Sequence, residues 1–316
     1  MIWSVSESRT FKRCERQWYY KSVLGNAIAK DPIRHKVYLL GKLQSISAWR
    51  GQVVDTVISE VLVPTLKSRQ PCTILNAKKA ALQMFERQLA FARTHPLNSP
   101  NFSPTKCGSN FLLLHCMEYT GTIPDNEISE ARDEIERAFD NLFAMGDLFV
   151  RLQKARTLIP QRALCFPHTG VTVRAVPDLI AFYDDAPPLI VDWKVHAFGH
   201  REAWLQLGIY SLALTRCNPH KDFPRSLANC QITDVFLNEV QLLTGRIREY
   251  RLSEEEAVRA ENYIAESVTQ IALSMNGVPK TELQAKDFPP AFSPDTCQRC
   301  SYRRICWEET DDGPRD

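Results

Sequence analysis

Apolar residues recur at two different spacings along this chain, and these spacings divide it into helical and extended regions. Spacings of three and four residues are typical of helices with one buried face, and strict alternation is typical of half-buried strands. The first spacing predicts amphipathic helices over residues 4–21, 40–62, 75–94, 109–119, 125–145 and 201–216. Ser253 and Glu256 form a capping-box pattern, which predicts one more helix, ending near Gly277.

Alternation predicts a group of short strands between the helices. Turn-forming Pro, Gly and Asp residues separate five such runs, at 157–159, 163–166, 171–174, 179–182 and 189–191. We expect these runs to form one curved sheet. Two further strands are predicted at 233–237 and 246–250. The pattern therefore predicts an α/β fold, in which residues 63–155 form a helical insert.

The acidic residues of one predicted hairpin lie where packing alone does not require them. Asp178 lies beside the strand before the turn 184–188, and Asp192 and Lys194 belong to the strand after it. Because side chains alternate along a strand, Asp192 and Lys194 point to one face, and Asp178 reaches that face from the neighbouring strand. Carboxylate oxygens suit Mg²⁺, which stabilises charge and activates water in phosphodiester hydrolysis. The hairpin therefore predicts a metal site, with Lys194 orienting water or neutralising charge.

Composition and charge exclude some classes of protein. The 316 residues are 44% hydrophobic and 24% charged, as expected of a globular protein. No apolar run approaches the length of about 20 residues that a membrane helix needs, and the N-terminus lacks the layout of a signal peptide. We therefore expect a cytoplasmic protein with no membrane partner. A net charge of +2 does not by itself indicate a polyanionic partner, so local basic clusters decide that question.

The hairpin and the helix after it resemble a known family of nucleases. Pro177-Asp178 followed by Asp192-Trp193-Lys194 is similar to the signature of the PD-(D/E)XK superfamily. Gln206-x-x-x-Tyr210 resembles a motif of its RecB-like branch, whose two residues position DNA or the catalytic lysine. The resemblance implies a restriction-endonuclease-like core, with a mixed central sheet flanked by helices, and metal-dependent cleavage of DNA, often from single-stranded ends. It also implies Mg²⁺ or Mn²⁺ as cofactor, Asp178 and Asp192 as metal ligands, and a catalytic set of Asp178, Asp192, Lys194, Gln206 and Tyr210.

One position departs from that branch. Gly51-x-x-x-Asp55 lies where RecB-like nucleases usually have Gly-x-x-x-His. A carboxylate suits Mg²⁺ or Mn²⁺, so Asp55 is either a further metal ligand or a neighbour of the ligands. The other interpretation is that Asp55 has lost the role, and the sequence leaves both open.

Four of the ten cysteines have a spacing that sets them apart. Cys297, Cys300 and Cys306 lie near the C-terminus, and Cys14 lies near the N-terminus. This pattern resembles RecB-like nucleases of the AddB type and of the CRISPR-associated kind, in which one N-terminal and three C-terminal cysteines hold a [4Fe–4S] cluster. The resemblance implies a cluster that clamps the two ends of the chain together. Structural Zn²⁺ is the alternative.

Basic residues surround this predicted clamp. If the ends of the chain meet, they bring together a patch that binds a nucleic-acid backbone, formed by Lys12, Arg13, Arg16, Arg299, Arg303 and Arg304. The alternative is that Arg303 and Arg304 only balance the charges of Glu308 and Glu309. Trp18 and the two tyrosines after it lie in the same segment. Those aromatic side chains either stack on bases or pack in the core.

Together, these features predict a single-stranded-DNA exonuclease that hydrolyses phosphodiester bonds and is stabilised by an iron–sulfur cluster. The alternative is a non-catalytic DNA-binding or assembly module of a nuclease–helicase or defence complex. The expected partners are DNA, single-stranded or with free ends, and a helicase or another subunit of a defence or repair complex. The predicted organisation is an N-terminal part of the nuclease domain (1–62), the helical insert (63–155), the nuclease core (156–275), a cluster-binding segment (276–310) and a disordered tail (311–316).

Overall fold

A computed structural model of the chain describes residues 1–97, 104–196 and 203–310. The predicted tail, 311–316, lies outside these ranges. The strands are β1 (Ile2–Trp3), β2 (Leu43–Gln44), β3 (Leu113–Leu114), β4 (Thr157–Pro160), β5 (Leu164–His168), β6 (Val171–Ala175), β7 (Leu179–Phe182), β8 (Leu189–Lys194), β9 (Phe236–Gln241) and β10 (Arg246–Tyr250).

The helices of the described ranges lie before β4 and after β8. They are α1 (Val5–Arg13), α2 (Glu15–Tyr19), α3 (Pro32–Leu40), α4 (Ile46–Val57), α5 (Val63–Lys67), α6 (Ile74–Thr94), α7 (Pro104–Cys107), α8 (His115–Thr120), α9 (Asp125–Ala144), α10 (Gly146–Gln153), α11 (Ala203–Arg216), α12 (Glu254–Met275), α13 (Pro294–Gln298) and α14 (Arg303–Thr310). Single π-helical turns follow α2 and α4. None of the described helices is long and apolar enough to cross a membrane.

A five-stranded sheet in the order β10-β9-β8-β7-β4 forms the centre of the fold. Strands β8 and β9 run parallel, and the other neighbours are antiparallel. A parallel pair needs a crossover connection, and α11 lies in the segment between β8 and β9. Helices pack on both faces, so the prediction of a mixed α/β fold with a mixed central sheet is confirmed.

The two faces of this sheet belong to two hydrophobic clusters, because successive side chains point to opposite sides. Ile180 and Ile190 pack with apolar residues of α1, α11 and α12 on one face. Leu179 and Val191 pack with α4, α6 and α9 on the other face. Asp192 and Lys194 follow Ile190 at every second position of β8, so their side chains point to the same face as Ile190. They therefore lie on the α11 side of the sheet.

The prediction of one curved sheet over 156–195 is wrong. Strands β5 and β6 leave the central sheet and form a separate three-stranded sheet with the N-terminal strand β1, which runs parallel to β6. The chain turns away directly after β4, where Gln161 has a φ of 49°. A pairing between the first residues of the chain and β6 is non-local, so alternation within 156–195 could not reveal it.

Several predicted boundaries also differ from the structure. The helix predicted over 40–62 begins only at Ile46, because the Ser45 side chain accepts a hydrogen bond from the Ala48 N–H and caps α4 there. The strand predicted at 233–237 begins at Phe236. The short helix predicted over 109–119 is replaced by β3 and α8. The helices predicted over 75–94 and 125–145 are confirmed, as is the capping box of α12.

Candidate active site

The predicted acidic hairpin forms, and it brings two carboxylates and one ammonium group together. Strands β7 and β8 are antiparallel, with Leu179 opposite Val191. One carboxylate oxygen of Asp178 accepts a hydrogen bond from the Trp193 N–H at 2.8 Å, which fixes Asp178 beside β8. Lys194 Nζ lies 2.5 Å from Asp192 Oδ2.

Helix α11 contributes two polar side chains to the same place. Gln206 Nε2 donates to Asp192 Oδ1 at 3.2 Å and to the Tyr210 hydroxyl oxygen at 2.6 Å. The two residues are four positions apart and share a helix face. The rest of α11 is mostly buried against the sheet, so its packing holds these polar groups over Asp192.

Asp55 reaches the site from α4, on the other face of the sheet. The Gln161 amide donates to both Asp55 carboxylate oxygens, at 2.8 and 3.0 Å, and lies 3.5 Å from Asp178 Oδ1. Gln161 itself is fixed by its N–H, which donates to the Asp178 carbonyl. The Arg50 guanidinium donates to the Val195 carbonyl and pairs with Glu134 of α9, and these contacts hold α4 at the end of β8.

Burial and crowding raise the pKa of each carboxyl group at this site. Burial raises the pKa of Asp55 to about 6, Gln161 opposes the rise, and Asp192 adds to it. Burial and the charges of Asp192 and Asp55 raise the pKa of Asp178 well above its ordinary value. Burial also raises the pKa of Asp192 against the opposing charge of Lys194. The site therefore favours an added positive charge.

Three residues at this site were missed by the sequence analysis. Gln161 bridges Asp55 and Asp178, and Arg9 of α1 donates to Gln206 Oε1 at 3.1 Å. Glu239 lies opposite Asp192 on β9, is 0% exposed, and accepts from Gln241 through Oε1. Within the described ranges its Oε2 has no hydrogen-bond partner. A charged residue inside the buried strand β9 was a signal for Glu239, whereas nothing local distinguishes Gln161.

The donor set suits Mg²⁺ or Mn²⁺, although the side chains do not converge on one point. Throughout the described ranges, no group of three or more His, Cys, Asp or Glu side chains is arranged to hold a metal ion. At the acidic site, amide and ammonium groups of Gln161, Lys194 and Gln206 contact the carboxylate oxygens instead. The Gln161 amide between two carboxylates marks a position where positive charge is favoured. Carboxylate oxygens around such a position are the ligands that these ions prefer.

The four cysteines that the sequence singled out line one cavity where the two ends of the chain meet. Backbone N–H groups of Gln17 and Tyr302 donate to the sulfurs of Cys14 and Cys300, each at 3.4 Å. Burial and the neighbouring sulfurs raise the pKa of Cys300 to about 12, against the Tyr302 N–H. Four thiols, two of which accept from backbone N–H groups, are the type of ligand that an iron–sulfur cluster uses. Like the carboxylates, these described side chains are not arranged around one point as a metal site.

The basic residues predicted to bind nucleic acid lie in different environments. Arg16 is only 6% exposed and donates to the Phe288 carbonyl and the Cys306 sulfur, so it lies inside the protein. Lys12 is exposed and lies over the Tyr263 ring. Arg303 lies over the Tyr119 ring, and Arg304 pairs with Glu118 at 2.7 Å.

The exposed Arg13 lines a cavity of about 600 Å³ together with Arg299. The aromatic residues of the same N-terminal segment are buried. Trp18, Tyr19 and Tyr20 are at most 6% exposed and pack in the core.

One comparison with known proteins identifies a family for this chain. The model of the PD-(D/E)XK nuclease superfamily matches residues 2–307. No curated protein matches the chain. Among solved structures, the chain is similar to one described as "Crystal structure of SSO0001", at 12% identity over 71% of this chain and 93% of that one, with a TM-score of 0.30. A structural similarity this low carries no argument about function.

Proposed function

Because the chain belongs to the PD-(D/E)XK nuclease superfamily, its function is of the nuclease type, and we propose that it is a metal-dependent exonuclease acting on single-stranded DNA. The observation that carries this proposal is that Asp178, Asp192 and Lys194 lie close to Gln206 and Tyr210 at one end of the central sheet. Packing does not require these polar groups, and burying them raises the pKa of the carboxyl groups.

Each residue has a distinct role in the proposed reaction. Asp178 and Asp192 would hold Mg²⁺ or Mn²⁺, with Asp55 as a further ligand in place of its hydrogen bonds from Gln161. The ion would supply positive charge at the phosphoryl oxygens and would lower the pKa of a water molecule. Lys194 is positioned by Asp192 to orient the attacking water and to neutralise developing charge.

Gln206 and Tyr210 support these groups. The Gln206 amide nitrogen donates to Asp192 and so fixes the carboxylate, while the Gln206 side-chain oxygen accepts a hydrogen bond from Arg9. The Tyr210 hydroxyl accepts from Gln206. Burial, and then the charges of Asp192 and Asp178, raise the pKa of Tyr210 well above its ordinary value, so the phenol stays protonated and keeps its own O–H for donation.

The proposal is tested with four DNA substrates, each incubated with Mn²⁺, with Mg²⁺ or with EDTA. The substrates are linear single strands labelled at the 5′ or the 3′ end, a circular single strand and a blunt duplex. An exonuclease degrades the linear single strands in the presence of metal and leaves the circle intact. Cleavage of the circle would contradict the exonuclease assignment. Metal-independent binding with no cleavage of any substrate would assign the chain to the non-catalytic DNA-binding class.

We also propose that Cys14, Cys297, Cys300 and Cys306 hold a [4Fe–4S] cluster. The four sulfurs line one cavity, and N–H groups already donate to two of them. Arg16 adds a third donor, 3.8 Å from the Cys306 sulfur. Aromatic packing also brings the two cysteine-bearing segments together, since Tyr20 stacks on Tyr302 with ring centroids 5.5 Å apart. The cluster would link these same two segments.

The metal at the four cysteines is identified by elemental analysis of protein purified without oxygen. Iron and acid-labile sulfide in about a four-to-four ratio per chain support the cluster. One zinc per chain without iron would assign the cysteines to a structural zinc site instead.

We propose that the DNA strand approaches along the side of the molecule that bears Lys12, Arg13, Arg303 and Arg304. The support is the cavity shared by Arg13 and Arg299, which adjoins the cysteine cavity through Cys300. Arg16 is buried and takes no part in this surface. The double substitution Arg13→Ala and Arg299→Ala should weaken binding of a single strand and reduce its salt dependence. Unchanged binding would place the strand elsewhere.

A further inference from the structure

Arg9 of α1 places a second cationic side chain at the acidic site, in addition to that of Lys194. Its Nη1 donates to Gln206 Oε1 at 3.1 Å, and the amide of the same Gln206 donates to Asp192 Oδ1 at 3.2 Å. Arg9 is therefore one side chain away from a carboxylate to which the proposed function assigns the metal. Its charge also acts on that carboxylate, although Lys194 acts more strongly.

The environment of Arg9 differs from that of arginines with purely structural roles in this chain. Arg50 is buried and pairs with Glu134, and Arg16 is buried and donates to the Phe288 carbonyl. Arg9 is half-exposed and contacts a neutral amide oxygen. In the described part of the chain, no carboxylate within ion-pair distance neutralises its charge. A guanidinium has five N–H donors, so the bond to Gln206 leaves donors free for a ligand.

The charge balance of the site explains what such a ligand would be. Asp55, Asp178 and Asp192 lie at this end of the sheet, where Lys194 is engaged with Asp192 and Glu239 is paired with Arg248. A phosphodiester brings one more negative charge to these acidic groups. A planar guanidinium fixed at the edge of the site matches the spacing of two phosphate oxygens and offsets that repulsion.

We propose that Arg9 binds a backbone phosphate of the DNA strand that lies on the acidic site, and that Gln206 holds the guanidinium in position. The proposal rests on the proposed function, because it assigns the ligand of the same site. It also gives Gln206 a specific task. An amide accepts from Arg9 through its oxygen and donates to Asp192 through its nitrogen, and neither Glu nor Lys can do both.

The test measures binding of a fluorescent single-stranded oligonucleotide in EDTA, where no cleavage interferes, over a range of salt concentrations. Arg9→Ala should bind about tenfold more weakly than the wild type, since a hydrogen bond between charged groups is lost. The slope of log affinity against log salt should fall by about 0.7, the value for one phosphate contact on a single strand. Arg156→Ala is the matched control. Its guanidinium pairs with Asp184 beyond the far end of β4, and this variant should bind as the wild type does.

Two further measurements separate phosphate binding from a structural role. Arg9→Lys keeps the positive charge and loses the paired N–H donors of the planar guanidinium. This variant should therefore keep the salt slope and bind the oligonucleotide less tightly than the wild type. Mn²⁺ affinity measured without DNA should be no lower in Arg9→Ala than in the wild type, because the substitution removes a positive charge that acts on Asp192. A lower Mn²⁺ affinity in Arg9→Ala would mean that Arg9 acts on Asp192 through Gln206, and this result would overturn the proposal.

The outcomes also distinguish this inference from the proposed function. Wild-type affinity and salt slope in Arg9→Ala overturn the inference and leave the nuclease assignment standing. A wild-type protein that never cleaves DNA, yet loses the phosphate contact in Arg9→Ala, refutes the catalytic function and supports the inference. If Arg9→Ala does not fold, Arg9→Lys decides, and an affinity equal to that of the wild type would overturn the requirement for the guanidinium.

Discussion

Lys194 is the residue whose chemistry is most directly constrained by its contacts. Its Nζ lies 2.5 Å from Asp192 Oδ2, on the same face of the buried strand β8. Asp192 neutralises the ammonium group at rest. A cation bound at Asp192 would compete for that carboxylate and leave Lys194 available for the phosphate or the attacking water.

We predict that Lys194→Met separates metal binding from catalysis. The variant keeps all the carboxylates, so its Mn²⁺ affinity should equal or exceed that of the wild type. Cleavage of single-stranded DNA should fall by about 100-fold or more, because a group that stabilises developing charge is lost. Calorimetry with Mn²⁺ and an end-labelled cleavage assay measure the two effects. Cleavage at the wild-type rate would remove Lys194 from the mechanism.

We predict that Gln161→Glu lowers the melting temperature of the metal-free protein and enlarges the rise in melting temperature that Mn²⁺ causes. The new carboxylate replaces an amide that donates to Asp55 and lies close to Asp178, so like charges meet and the metal-free protein should melt at a lower temperature. An added Mn²⁺ ion relieves this repulsion and gains a ligand, so the rise in melting temperature on adding Mn²⁺ should be larger than in the wild type. A lower melting temperature with no larger gain from Mn²⁺ would contradict the placement of the ion between these carboxylates.

At the residue scale, the sequence predicted the groups that follow from local periodicity. Asp178, Asp192 and Lys194 share a face because a hairpin and period-two alternation place them there, and Gln206 and Tyr210 share a face because of helical spacing. Gln161 and Arg9 reach the same site through a turn and through the packing of α1. Neither contact has a local sequence pattern, so no periodicity argument could find them.

At the scale of elements, the N-terminal segment shows why one predicted helix becomes two. The chain is extended at Cys14, with φ of −165° and ψ of 113°, between α1 and α2. The Cys14 sulfur accepts from the Gln17 N–H and so caps α2, as a serine or an aspartate would. Helical spacing of apolar residues continues through the break, and the sequence therefore predicted one helix over 4–21.

We predict that Arg16 stabilises the docking of this broken helix against the C-terminal segment. Its guanidinium donates to the buried Phe288 carbonyl, and its backbone N–H donates to the Pro289 carbonyl. Arg16→Met leaves the Phe288 carbonyl without this donor, and the free energy of unfolding should fall by about 2 kcal/mol. Urea denaturation measures the change, with the exposed Arg13→Met as the control. Equal stability of the two variants would contradict the structural role given to Arg16.

At the scale of the whole molecule, the two termini are joined by contacts that a linear sequence does not display. Tyr20 stacks on Tyr302, and Tyr19 stacks on Phe288 with ring centroids 5.4 Å apart. The spacing of the cysteines was the one sequence feature that predicted this meeting of the ends. It did so through a family resemblance, because loop closure over almost the whole chain has no local pattern.

We predict that Cys14→Ser removes the proposed cluster and weakens the joining of the termini. One of four thiolates is lost, so iron content should fall sharply and the melting temperature should decrease, since a link that closes a very long loop restrains the unfolded chain strongly. Cys165→Ser, at an exposed position on β5, is the control and should keep both properties. Full iron content and wild-type stability in Cys14→Ser would refute the four-cysteine assignment.

The central claim is that Asp178 and Asp192 hold the metal ion that the protein needs to cleave DNA. The most direct test compares wild type and Asp192→Asn on an end-labelled single strand with Mn²⁺, after circular dichroism has shown that both are folded. We predict that the wild type degrades the strand only when metal is present, and that Asp192→Asn binds the strand but degrades it at least about 100-fold more slowly. Degradation by Asp192→Asn at the wild-type rate would contradict the claim.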